Sequence, residues 1–549
     1  MNMKLEEKSG ARGNKTKIYL FLILLLAFFL RVYKCRWGEN IYSGDEAGFI
    51  LMSVYFVKFF HFSNLFLWVK SFFKIISATW GYGYQFVIFV NILILRLFQV
   101  NLNEFTLAIP YILWGTVDCA LVYLIVRELY SEEAGLVSAL FLAVSPWHIM
   151  ASRTAGNHAV PVFLLLCALY FFILSCKSKM QIRWQWVCAS FFAGLYFVSD
   201  GQFPSFFLLM IFASYVLSAD KSKFYELMFN RKIVFFPVLF MLPAIAAQIY
   251  FFIVKKPSYG YLGHYLAKKA KLGFYLPDIL VFLKYNLGGV LLAVLILGFI
   301  YNYKKLLKLK PASILYLMLF LYLAPWIFMV SKESTVVINY LFPAELALTM
   351  LAGIFLADIF KLVKGYNFLK AAVLAAIVLA ALFYAGGIYG FKVITNTIKF
   401  PAQTLPKNYG VKTAGFIIRQ EYSGKNINIF TDLEPPTARY YFSNFNMLAA
   451  YDVNLNNPEE LTGYFNKAKH KMDIAAISRP AYEILKKDLR GMGFHAAVIV
   501  RNKNEIVFFI LKKEKQNEIT ASTDEYDPKF DKKYGNLKSL FVENIWETH

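Results

Sequence analysis

The sequence predicts an all-α polytopic membrane domain of about eleven transmembrane helices, followed by a small C-terminal α/β extracytoplasmic domain. Hydrophobic residues fill 58% of 549 positions against 17% charged, and the mean hydropathy of +0.49 lies outside the range of a soluble enzyme. Apolar runs of membrane-crossing length alternate with short loops, and every second loop is basic. From Ile394 onward short strand and helix patterns replace the long apolar runs. The formal charge of +23 sits mostly in loops between spans, so topology explains it and a nucleic-acid partner is not expected. Phe and Tyr are spread through the spans as lipid-facing bulk and interface anchors.

Lys4, Lys8, Arg12, Lys15 and Lys17 precede an apolar run from Ile18 to Leu30 that ends at Arg31. No small-residue cleavage site follows before Cys35, so this reads as an uncleaved first span with a cytoplasmic N-terminus. Residues 31–104 are then outside. Apolar helices at 46–60 and 84–98 are placed in the membrane surface, because the loop between them, 61–83, lacks a basic excess.

Further spans are expected near 105–126, 134–151, 159–176, 185–200 and 203–218, and near 233–254, 286–302, 312–330, 340–359 and 369–391. The inner loops this implies carry Arg127, then Lys177, Lys179 and Arg183, then Lys221, Lys223, Arg231 and Lys232. The next two carry Lys304, Lys305, Lys308 and Lys310, and Lys361 and Lys364, so each is basic as an inner loop should be.

After the last span come NINIFTD, TARYYFSN, DIAAIS, PAYEILKKDLRGMG, FHAAVIV and EIVFFILKK, with turn signals at Gly424, Pro435 and Gly493. The domains expected are a transmembrane domain over 1–391, an extracytoplasmic α/β domain over 392–515 and a polar, flexible tail over 516–549. The 5 cysteines, Cys35, Cys119, Cys167, Cys176 and Cys188, show neither CxxC nor Cys/His ligand spacing. Neither a zinc site nor a disulfide framework is indicated.

Asp45 and Glu46 stand just outside the first span, where a carboxylate can act as a general base on a hydroxyl that attacks a lipid-carried substrate. Ser43 and Glu46 also fit a capping box, and a carboxylate at a helix start can serve both ends. In SPWHIMASRTAGNHAVP, residues 145–161, Arg153 could grip a phosphate through its planar fork, with Asn157 or His158 hydrogen-bonding a sugar or phosphate oxygen. The plainer readings are a snorkelling Arg153 and a core His148 bonded to a carbonyl.

The outer loop 255–278 carries Lys255, Lys256, Lys268, Lys269 and Lys271 against the positive-inside trend, which suits an anionic lipid head group or a solvated helix face. Lys332 could neutralise a lipid phosphate or pair with Glu333. Asp200 is a substrate-facing acid or a turn residue beside Gly201.

DEAGF after the first span, ELYSEEAGLVSALFLAVSPWHIMASRTAG through the second and third, and NYLFPAELALTMLAG near the tenth follow one another in a telling order. Together they resemble the GT-C superfamily of membrane glycosyltransferases, in the branch of protein O-mannosyltransferases and lipid A aminoarabinose transferases, over residues 18–360. The resemblance implies a GT-C type membrane domain in the plasma (inner) membrane. It implies inverting transfer of a hexose or pentose from a polyprenyl-phosphate donor to a glycan, lipid or protein acceptor on the non-cytoplasmic face.

Carried over by position, Asp45 matches the catalytic acid, Glu46 its acidic neighbour and Arg153 an arginine of the second outer loop. Members often place an aspartate five residues after that arginine; here His158 follows Asn157 instead, which argues against a two-carboxylate site or metal bridge. Lys332 and Tyr340 correspond more loosely to lipid-phosphate contacts. No cofactor or metal is expected beyond the lipid-phosphate sugar itself, although one acid pair leaves metal dependence open. Physical reasoning agrees: the donor brings its own leaving group, so the protein must hold the phosphate with cations and the acceptor near a base. Two other classes are a carrier or flippase, for which Asp118 and Glu345 inside apolar runs would matter, and a glycan ligase or polymerase.

Overall fold

The computed structural model describes residues 2–33, 104–153, 159–177, 184–199, 203–217, 276–330, 341–362, 367–389, 411–449 and 458–522, with short breaks within them, and a few positions elsewhere. The chain falls into two compact units. One comprises Met1–Tyr33, Phe73–Val87 and Ile109–Asn396; the other comprises Lys34–Phe72, Ile88–Ala108 and Thr397–His549.

The first unit is built of helices. In chain order they are α1 (Asn2–Val32), α2 (Glu104–Leu129, whose first residues belong to the other unit), α3 (Glu132–Val144), α4 (Pro146–Arg153), α5 (Ala159–Lys177), α6 (Trp184–Ser199) and α7 (Phe203–Leu217). After them come α8 (Leu276–Leu287), α9 (Gly289–Leu307), α10 (Ser313–Phe328), α11 (Phe342–Leu362) and α12 (Asn367–Tyr389). Most coincide with the apolar runs of the sequence. The run at 233–254 and the surface helices at 46–60 and 84–98 lie almost wholly outside the described residues.

Among the described residues, three helices are long and apolar enough to cross a membrane: Phe105–Leu129, Ala159–Lys177 and Phe342–Leu362. The pair α3 and α4 adds a fourth if it is one broken span. α11 is the hub, buried almost throughout, and α3, α9 and α10 pack on it. The helices approach closely where Gly353 of α11 faces Ser138 of α3. A Cβ on Gly353 would lie 2.0 Å from Ser138 Oγ and 2.8 Å from its Cα, while Ser138 Oγ donates to Met350 O at 3.2 Å. Small residues at such a crossing let backbones meet and exchange hydrogen bonds inside an apolar interior.

Two expectations need correction. The run at 134–151 is not one straight helix: it bends by 60° at Ser145, between α3 and α4. Pro146 has no N–H to continue the ladder and pushes the residue before it to extended backbone, and Ser145 has φ −68 and ψ 120. The outer loop 255–278 is not loop to its end, since α8 begins at Leu276. Ile279, Leu283 and Leu287 recur every fourth residue and are buried, while Leu280 is exposed, which is the pattern of an amphipathic helix.

Two short strands also join distant loops. β1 (Lys271–Leu272) pairs antiparallel with β2 (Met329–Val330), Lys271 opposite Val330.

In the second unit the described residues from 411 onward form a six-stranded sheet with three helices. The strands are β3 (Asn428–Thr431), β4 (Asn446–Ala449), β5 (Ile474–Ser478), β6 (His495–Asn502), β7 (Glu505–Lys512) and β8 (Ile519–Ser522). Their order is β4-β3-β5-β7-β6-β8. β3 is parallel to both β4 and β5, β7 runs antiparallel to β5 and β6, and β8 is parallel to β6. The sheet therefore includes residues 519–522, which the sequence reading assigned to the tail.

The helices are α13 (Val411–Tyr422), α14 (Pro458–Ala468) and α15 (Arg479–Gly491). α15 buries Ala481, Tyr482, Leu485 and Leu489 along one stripe, against a core holding Phe430, Phe465, Ile477, Phe494 and Phe509. Its end is a Schellman turn. Gly493 takes φ +80, its N–H donates to Arg490 O at 3.0 Å, and Phe494 N–H donates to Leu489 O at 2.9 Å.

Candidate functional site

Among the described residues, a fully buried cluster of charged side chains lies where α1 ends beside the α3–α4 elbow. Arg31, in the last turn of α1, is buried at 0% exposure. Its Nη1 donates to Ala27 O at 2.7 Å and to Ala143 O at 3.4 Å. Ala143 is next to last in α3, where the break leaves carbonyls without partners, and a guanidinium suits that negative helix end.

The other nitrogen, Nη2, donates to His148 Nδ1 at 2.6 Å, and Cys119 Sγ lies 3.9 Å from it. A guanidinium can only donate, so Nδ1 accepts and the imidazole proton sits on Nε2. That Nε2–H donates to Asp118 Oδ2 at 3.1 Å. A neutral imidazole thus links a cation to an anion, with all three side chains at 0–1% exposure. The expectation of a core His148 bonded to a carbonyl is corrected: its ring bonds two charged side chains.

The partners come from positions helical geometry brings together. Gly115, Asp118 and Cys119 lie three and four apart on α2, and His148 and Ser152 lie four apart on α4. Ser152 Oγ donates to His148 O at 2.5 Å. Trp147 stacks on Phe342, the first residue of α11, with centroids 4.5 Å apart. Trp147 of SPWH and Phe342 of LFPAEL, far apart in sequence, therefore meet.

Arg153, the last residue of α4, is buried at 1% exposure rather than snorkelling at a surface. The β1–β2 pair brings Lys271 of one outer-loop candidate level with Val330, two residues before Lys332 of the other. Asp45, Glu46, Asn157, His158, Lys255, Lys256, Lys332 and Tyr340 lie outside the described residues, as does Asp200. Among the described residues no group of three or more His, Cys, Asp and Glu is placed to hold a metal ion.

Arg31 was missed as a site residue because it looked like the end of a span. An ionisable residue at a span's edge, with Asp118 and His148 in nearby apolar runs, was the available signal.

Residues 86–251 match the family model for dolichyl-phosphate-mannose-protein mannosyltransferases. No curated protein sequence matches the chain. Among solved structures, it is similar to ArnT from Cupriavidus metallidurans bound to undecaprenyl phosphate, with a TM-score of 0.55 and 13% identity, over 90% of this chain and 97% of that one. It is also similar to the Archaeoglobus fulgidus oligosaccharyltransferase tethered to an acceptor peptide, with a TM-score of 0.52 and 12% identity, over 90% of this chain and 74% of that one. The oligosaccharyltransferase AglB of the same organism, in complex with an inhibitory peptide and a dolichol-phosphate, gives a TM-score of 0.51 at 13% identity, over 85% and 70% of the two chains. The mannosyltransferase match thus covers residues 86–251, and the chain shares the fold of these solved structures.

Proposed function

We propose that this chain is a GT-C glycosyltransferase that moves one sugar, a hexose or pentose, from a polyprenyl-phosphate donor to an acceptor hydroxyl on the non-cytoplasmic face, with inversion. The observation that carries the reading is the fold shared with ArnT, whose structure holds undecaprenyl phosphate, together with the mannosyltransferase match over 86–251.

In this reading Asp45 accepts the proton of the acceptor hydroxyl as its oxygen attacks the anomeric carbon. The bond from that carbon to the phosphate oxygen breaks, and polyprenyl phosphate leaves. Attack opposite the leaving group gives inversion. Glu46 supports the acid pair. Arg153, Lys332, Tyr340 and the Lys255–Lys271 cluster hold the lipid phosphate, and Asn157 and His158 bond the sugar or phosphate. The pairing of β1 with β2 supports joint use of the two lysine loops, because it sets Lys271 and Leu272 beside Met329 and Val330.

About eleven spans in the plasma (inner) membrane, with a cytoplasmic N-terminus, complete the topology. The region 392–515 is then an extracytoplasmic α/β domain that recognises the acceptor, which would be a glycan, a lipid or a protein.

The test is the purified protein in proteoliposomes with a panel of polyprenyl-phosphate sugars and candidate acceptors, followed by mass spectrometry. One added sugar per acceptor is expected. A whole glycan block would make it a ligase or polymerase, and solute or lipid movement without a covalent product would make it a carrier.

A further inference from the structure

We propose that the Arg31–His148–Asp118 chain is a positioning device that fixes the rotation of α4 and, through it, the placement of Arg153. The role of Arg153 toward a lipid phosphate rests on the glycosyltransferase reading; the clamping of α4 does not.

α4 has 8 residues and is separated from α3 by a 60° bend, so it does not inherit its direction from a longer helix. A helix this short is marginal by itself and needs tertiary contacts to hold it. His148 supplies them at both ring nitrogens, accepting from Arg31 at 2.6 Å and donating to Asp118 at 3.1 Å. Two opposed bonds set the plane of the ring, and with it the face that α4 turns toward α2.

One turn later Ser152 presses into the space left by Gly115. A Cβ on Gly115 would lie 1.9 Å from Ser152 Oγ and 3.0 Å from Arg31 Nε, so only glycine fits there. Arg31 also reaches Ala143 O on the other side of the break, so one side chain ties both arms of the elbow. Arg153 follows Ser152 directly, about 100° further round the helix. Its direction is therefore set by the same contact. The three residues of the chain are sealed from solvent at 0–1% exposure and act through α4 rather than on a substrate.

The experiment uses the full chain in lipid nanodiscs with His148→Ala and the milder His148→Gln, whose amide keeps one donor and one acceptor on a more flexible stem. Hydrogen exchange across 146–153 is expected to quicken about tenfold in His148→Ala, and less in His148→Gln, with α5 and α11 unchanged. In transfer assays the KM for the polyprenyl-phosphate sugar is expected to rise about tenfold while kcat stays within about twofold. In an Arg153→Ala background, His148→Ala is expected to raise that KM no further. A merely structural role would instead lower the amount of active protein and leave KM alone. Unchanged exchange in α4 with His148→Ala overturns the clamp whether or not sugar is transferred. A KM that does not move, or that moves additively with Arg153→Ala, overturns the link to Arg153. Absence of transfer by the unsubstituted protein counts against the glycosyltransferase reading and leaves the exchange result to decide the clamp.

Discussion

Asp118 and Asp432 are both buried carboxylates, at 0% and 2% exposure, but they satisfy their charge by different means. Asp118, in the helical unit, accepts from His148, which is itself held by Arg31, a chain drawn from three helices. Asp432, just past the end of β3, accepts from the backbone N–H of Ser478 at 2.9 Å and from its hydroxyl at 2.5 Å. Helix backbone explains the contrast. Inside a long apolar helix every N–H already serves the carbonyl four residues back, so a buried carboxylate must find side-chain donors on other helices. At the end of a strand, where the next helix begins, N–H groups are free, and Ser478 is the N-cap of α15. The helical unit therefore meets its buried carboxylate with side chains from other helices, whereas the sheet unit meets its own with the backbone N–H and hydroxyl of the residue where β5 passes into α15.

That contrast breaks most visibly at Asp118. Asp118→Ala leaves Arg31 buried without its counter-charge, and a loss of about 3–5 kcal/mol is expected in thermal unfolding of the purified protein. Replacing Arg31, His148 and Asp118 together by Met, Leu and Leu should recover most of that stability, because apolar packing needs no counter-charge. Asp432→Ala is expected to cost less, about 1–3 kcal/mol, since it leaves neutral donors unpaired. Its effect should appear as faster hydrogen exchange in β5 and α15, with the donor KM unchanged. Smallest is Lys486→Ala on the exposed face of α15, where the 4.0 Å pair with Glu483 is open to solvent. A change within about 0.5 kcal/mol is expected there.

Much of the helical architecture was legible, because long apolar runs leave few alternatives to helix. The α3–α4 break was readable in principle from Pro146 but was hidden by the length of the surrounding run. α8 was missed because a 12-residue amphipathic segment lay next to a lysine-rich loop that read as outer surface. The Arg31–His148–Asp118 chain left no spacing signal, since its members are separated by 117 and 30 positions and meet only when three helices pack. The pairing of Lys271 with Val330 is of the same kind, two strands of 2 residues each joined across a long stretch of sequence. In the sheet unit the turn at Gly493 and the stripe of α15 were visible as local patterns, whereas the strand order depends on contacts no local pattern encodes.

The central claim, transfer from a lipid phosphate with Asp45 as base, is tested most directly by comparing Asp45→Asn with the unsubstituted protein in single-turnover transfer, with the product's anomeric configuration read by NMR. The account predicts an inverted product and a rate about 10²–10⁴ lower in the variant, with donor binding retained. A variant that transfers at the full rate, or a product that keeps the donor's configuration, would contradict it.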